Sequence, residues 1–222
     1  MTPYDFIDST NVDPALHVSA NPLLTLAREQ RAGPEVWQRF AIAEFQALEF
    51  ERVTFAFLLA RCPRHAAGEV FEGAVTEMAQ VRTHLLHKVC PALGTAEKSL
   101  AEAALSPEVK QLAEFQAWVA FHAGPGEAAL SMWADGVLWA ATTGAWAEIL
   151  RGDDRAPAEL IEHLDDGADY AEGTGAEAIA PVIAAGLEHG EQAAHLTRSA
   201  NRVDQVMRTW WSFVAHGDDP TH

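Results

Sequence analysis

Apolar residues recur along this chain at intervals of three and four. In the segment 34–63, Trp37, Phe40, Ala41, Phe45, Leu48, Val53, Phe57 and Leu58 keep helical spacing over about seven turns, until Pro63 stops the run. A second long helix is predicted across 66–94, with Phe71, Val75, Met78, Val81, Leu85 and Val89 on its core side and Pro91 and Gly94 at its close. A Ser-Pro-Glu start opens another helix after Ser106, which stops at Gly124. The next segment, 124–152, carries three tryptophans and many alanines with few polar positions. It is predicted to lie at the centre of a bundle.

Shorter elements fill the rest. Asn21 caps a helix with Pro22 at its first position and Gly33 as its stop. The segment 156–175 is predicted as a helix broken near Gly167, 176–190 as a short helix containing Pro181, and 191–217 as a long final helix. Residues 1–20 mix Pro, Asp and Ser with few periodic apolar positions and are predicted to be an irregular arm. No useful stretch alternates with period two, so no sheet is predicted. The pattern implies a single all-α domain, a helical bundle of about seven or eight helices over 21–217, with a tail at 218–222.

Charge narrows the function classes. The 222 residues carry a net charge of −17, from 32 acids against 15 bases. Such a surface repels phosphate backbones and anionic lipid, so no nucleic-acid or membrane partner is expected. Cys62 and Cys90 have neither disulfide-framework nor metal-type spacing, which fits a reducing cytoplasm. No basic region followed by an apolar run occurs early, and no run of 18 apolar residues occurs anywhere, so neither a signal peptide nor a membrane span is expected.

Four places carry candidate chemistry. Glu77 and His84 lie seven apart on the second long helix, close in angle but about 10 Å apart along the axis. They can face one cavity without chelating one ion side by side; alternatively, Glu77 pairs with Arg82 and His84 is an ordinary polar residue. His87, three residues after His84, either chelates an ion with it or is a surface residue beside Lys88. His163, Asp165, Asp166, Asp169 and Tyr170 form the densest polar cluster, either a cation site or a solvated helix end. Glu44 flanks a strongly apolar helix face, with Glu49 and Glu51 nearby; drawn into a pocket, it would serve as a general acid or base. Trp133, Trp139, Trp146, Trp210 and Trp211 either line a pocket or pack the core.

Three phrases carry a family resemblance: the opening 21–63, "LWAATTGAWAEILRG" and "SANRVDQVMRTWWSFV". Together they resemble the haem-oxygenase-like all-α superfamily, with its thiaminase II (TenA), pyrroloquinoline-quinone synthase and non-haem diiron oxidase branches. The resemblance implies that fold, a homodimer, and a biosynthetic enzyme acting on a small molecule between the long helices. The thiaminase-like branch places a cysteine nucleophile where this chain has Thr142, with Thr143 beside it, and a tyrosine where it has Trp146; its two acids correspond to Glu44 and Asp204. Cysteine-dependent thiaminase activity is therefore not expected.

The diiron branch implies Glu77 and His84 as ligands, a second Glu where this chain has Thr142 or Thr143, then His163 followed by positions filled here by Gly167 and Tyr170, unless the register shifts to Asp166 and Asp169. The favoured expectation is an oxidase or oxygenase using non-haem iron held by Glu77, His84, His163 and Asp166. The alternative is a metal-free enzyme using Glu44, His84, Tyr170 and Asp204 as acids and bases. A third is a binding protein that kept the fold and lost the chemistry. Haem is not expected, since no histidine suits a proximal ligand and His17 falls in the arm.

Overall fold

The computed structural model describes the chain except Met1, Arg64, Thr174 and 218–222, and except the side chains of Pro3, His65 and 170–173. The predicted tail at 218–222 thus lies outside the described residues. These are all-helical, with no strand among them, as the missing period-two pattern predicts.

The arm of the sequence reading is in fact structured. Helix α1 spans Pro3–Asp8 and α2 Pro14–Ser19, capped by Thr2 and Asp13, whose side chains accept backbone N–H bonds. Both elements are too short to show apolar periodicity. Each is recognisable only from its cap followed by proline. Helix α3, Pro22–Arg28, begins as predicted: Asn21 Oδ1 accepts from the N–H groups of Leu23 and Leu24 at 3.0 and 3.3 Å. It ends at Arg28, well before Gly33; Gln30 takes a positive φ of 57° in the turn that follows.

Helix α4, Pro34–Arg61, and α5, His65–His84, are the two long helices of the opening half. After His84 the chain widens into one π turn, Leu85–Val89, where the Cys90 N–H reaches back to the Leu85 carbonyl. Pro91 follows at once. It has no N–H to offer the His87 carbonyl, and a widened turn ahead of it relieves its ring. A short α6, Cys90–Ala92, and α7, Glu97–Glu102, lead to α8, Pro107–His122, capped by Ser106.

Helix α9, Pro125–Leu150, is the axis of the bundle. It packs against α10 (Ala158–Gly173), α11 (Ala176–Glu188), α12 (Ala193–His216), α2 and α3. This is the central segment that its all-round apolarity predicts. Its N-terminus is held by Glu191, whose carboxylate accepts from the N–H groups of Gly126 and Glu127 at 2.9 Å each. Gly124, Gly126 and Gly186 make room for that carboxylate; a Cβ on any of them would press on it. Helix α10 runs through Gly167 without a break, contrary to the predicted one, because packing on α9 outweighs one glycine's weak helix propensity.

Phe40 of α4 centres an aromatic cluster. Trp146 meets it edge-on at 4.9 Å, Trp211 stacks on it at 6.2 Å, and Trp139 at 6.1 Å. Trp146 and Trp211 are wholly buried core residues. Trp210, equally buried, and Trp139 also line a cavity.

Candidate functional site

That cavity, about 310 Å³, is walled by α4, α5, α8, α9, α10 and α12. Its apolar wall comes from Leu48, Phe55, Met78, Val81, Leu112, Met207 and the rings of Trp139 and Trp210. Set into it are Glu44 and Glu51 from α4, Glu77 and His84 from α5, Asp135 from α9, and His163 and Asp166 from α10. A mostly apolar wall with a few convergent polar groups is the usual character of a small-molecule site.

Glu44 and His163 meet at the wall. His163 Nε2 lies 2.8 Å from Glu44 Oε1 and 2.9 Å from Oε2, and the two side chains are only 4% and 3% exposed. Burial alone pulls the imidazole down, but the Glu44 charge and hydrogen bond, with Asp166 behind them, outweigh it and raise His163 above its usual range. The pair is thus an enclosed imidazole–carboxylate contact that favours the protonated ring. His84 stacks on His163, with ring centroids 5.4 Å apart and planes 26° apart. His84 Nε2 is buried and has no partner among the described residues. It stands on the last α-helical residue before the π turn, a type of irregularity that often accompanies functional sites.

The carboxyls differ by environment. Glu77, half-buried, is raised by desolvation to about 7. Asp135 is raised to about 7 by burial. Glu51 is raised well above its ordinary value by burial, then by the charges of Asp135 and Glu44. Asp166 is exposed, at the cavity's mouth.

The structure therefore gathers Glu44, Glu77, His84, His163 and Asp166 around one space. Glu77 and His84 face the cavity together, as their spacing predicts; Arg82 pairs with Glu49 rather than Glu77. Asp204 is not brought to this space. It receives His17 Nδ1 at 2.8 Å and Arg208 Nε at 2.8 Å, which ties α2 to α12. His17 is buried in α2 rather than loose in an arm, and burial lowers it despite that carboxylate. His87 is exposed, and Asp165 is engaged by Arg151 at 2.6 Å. Tyr170 belongs to α10, but its side chain lies outside the described residues.

Sequence reasoning missed Asp135 and passed lightly over Glu51. Both left a signal. Asp135 is a lone acid inside the apolar "LSMWADGVLW", and Glu51 repeats the angular position of Glu44 two turns on.

Thr142 and Thr143 are fully buried, and their hydroxyls bond back to their own helix. Thr142 donates to the Leu138 carbonyl at 2.9 Å, Thr143 to the Trp139 carbonyl at 3.0 Å. Neither lines the cavity, so neither is placed as a nucleophile.

The donor types around the cavity suit non-haem iron, but their arrangement does not. His163 Nε2 is taken up by Glu44. Position 167, where the diiron branch has its aspartate, is a glycine whose Cβ would stand 2.9 Å from Trp139 Nε1. Among the described residues no three His, Cys, Asp or Glu side chains gather round one point. The residues as placed do not form an assembled iron centre.

No protein-family model and no curated protein matches the sequence. Among solved structures, a TenA homologue from Pseudomonas syringae pv. tomato superposes with a TM-score of 0.66 at 14% identity, over 95% of this chain and 91% of that chain. The fold is thus TenA-like, as the sequence resemblance implied. No helix among the described residues is long and apolar enough to cross a membrane.

Proposed function

We propose that this chain is an enzyme that moves protons on a small organic molecule bound in the cavity, with side chains alone as acids and bases. One observation carries the reading: the enclosed Glu44–His163 pair on the cavity wall. Such a pair favours a protonated imidazole beside the cavity, and the apolar wall keeps water from competing for the proton it shares with Glu44. The stacked His84 offers a second imidazole on the same side. Glu77, raised to about 7, changes protonation near neutrality, where a general acid or base is most effective. The inward-bonded threonines argue against a covalent route through the central helix.

The test begins with a library screened by thermal shift, followed by turnover of the hits measured by mass spectrometry. Activity should survive EDTA, and His163→Gln should cost about 10²-fold or more in kcat with the fold intact by circular dichroism. Turnover that appears only after iron loading would overturn the reading.

A second reading, the iron-dependent oxidase, keeps one supporting observation: His84 Nε2 has no partner where a ligand would need to be free. Anaerobic ferrous titration followed by calorimetry tests it. Stoichiometric binding that is lost in His84→Ala would favour iron; no binding would remove it.

A further inference from the structure

The Glu51–Asp135 end of the cavity is not used by the proton-transfer pair. Glu51 lies seven residues beyond Glu44 on the same face of α4, so the two stand about 10 Å apart along the axis. Asp135 comes from α9, one turn before Trp139. Both carboxyls are surrounded by protein yet keep accessible surface, as groups lining an internal space do. Neither has a hydrogen-bond partner among the described residues. The wall between them and the dyad is aromatic and aliphatic. No lysine or arginine lines the cavity to neutralise them.

Two unpartnered carboxyls that deep are costly unless something positive completes them. Structural acids elsewhere in this chain are completed from within: Glu191 by two backbone N–H groups, Asp204 by His17 and Arg208. Glu51 and Asp135 have no such completion and line the cavity. The geometry points to a cation subsite there: Glu51 and Asp135 together receive the ammonium or amidinium group of a small organic ligand, with the rest of that ligand extending past Trp139 toward the Glu44–His163 pair. An amidinium presents two N–H donors in one plane and would give one to each carboxyl; an ammonium gives two of its three. The neighbouring Trp139 face adds attraction for the same charge.

The inference rests on the cavity being the substrate site, but it concerns binding and needs no turnover. It therefore stands or falls separately from the acid–base reading. The charged and titratable groups facing this space are Glu44, Glu51, Glu77 and Asp135, with His84, His163 and Asp166 toward the dyad and mouth. Burial favours the protonated form of both acids, so a cation that binds their ionised forms is linked to proton release.

Calorimetry with benzamidine as the charged probe and benzamide as its neutral isostere tests this on the full chain. Benzamidine should bind at least tenfold tighter than benzamide at pH 7.5. Heats measured in buffers of different ionisation enthalpy should show net proton release on benzamidine binding and none for benzamide. Asp135→Asn and Glu51→Gln should each weaken benzamidine tenfold or more and leave benzamide unchanged. If either variant fails to fold, the wild-type probe ratio and proton count decide. Equal affinity for the two probes, or the absence of proton release, overturns the subsite. So does full benzamidine affinity in a folded variant. If cation binding holds while His163→Gln leaves turnover untouched, the subsite survives and the proton-transfer reading falls.

Discussion

Replacing Asp135 by Asn should make this protein more stable, and only at neutral to alkaline pH. Burial moves the Asp135 carboxyl from 3.8 to about 7. Between those values the folded chain holds a proton that the unfolded chain has released. Stability is therefore highest below the unfolded value and declines as pH rises through that window, levelling above the folded value. Three pH units at 1.36 kcal/mol each give a decline of about 4 kcal/mol from this group. Asn keeps the shape and removes the charge, at a cost of about 1 kcal/mol for an amide whose hydrogen bonds are incomplete. The expected gain is about 3 kcal/mol at pH 8 and under about 1 kcal/mol at pH 5. In a chain of this length that is a rise in Tm of roughly 6–12 °C at the higher pH. Urea unfolding followed by tryptophan fluorescence at both pH values measures it. An equal change at the two pH values, or a loss of stability at pH 8, would refute the reasoning. The same variant loses the cation subsite, so stability and binding should move in opposite directions.

Other outcomes follow from the same structure. Glu44→Leu or His163→Leu alone should cost about 3–5 kcal/mol by leaving one buried charge unpaired, whereas the double substitution should cost much less; a double-mutant cycle by urea unfolding checks it. Because His163 is raised above 6.5, the pair's contribution is fully present below that value and fades as pH climbs through the folded one, so the single-variant cost should shrink in alkali. Gly167→Asp should destabilise the fold by about 1–3 kcal/mol because its Cβ meets Trp139 Nε1 at 2.9 Å, and adding Trp139→Ala should recover part of that loss in thermal melts. Gly186→Ala should push Glu191 off the N-terminus of α9 and lower stability by about 1–2 kcal/mol, visible in a shifted urea midpoint at unchanged slope.

The sequence by itself determined the class of fold. Trp37, Phe40, Phe45 and Leu48 declare a helix because the 3.6-residue period is a local property, and the apolarity of 124–152 declares a central one. It also placed Glu77 and His84 on one face, since seven residues are nearly two whole turns. It could not show which of many acids and histidines meet. Glu44 and His163 are 119 positions apart, and only the packing of α10 on α9 and against the π turn brings them within hydrogen-bond distance. Asp135 and Glu51 each leave a local signal, but only the fold turns two distant acids into neighbours. Asp204, plausible on its helix, is claimed by His17 across the bundle. Periodicity is written along the chain and survives without its context; a site is a set of distances between helices, and only the tertiary structure decides those.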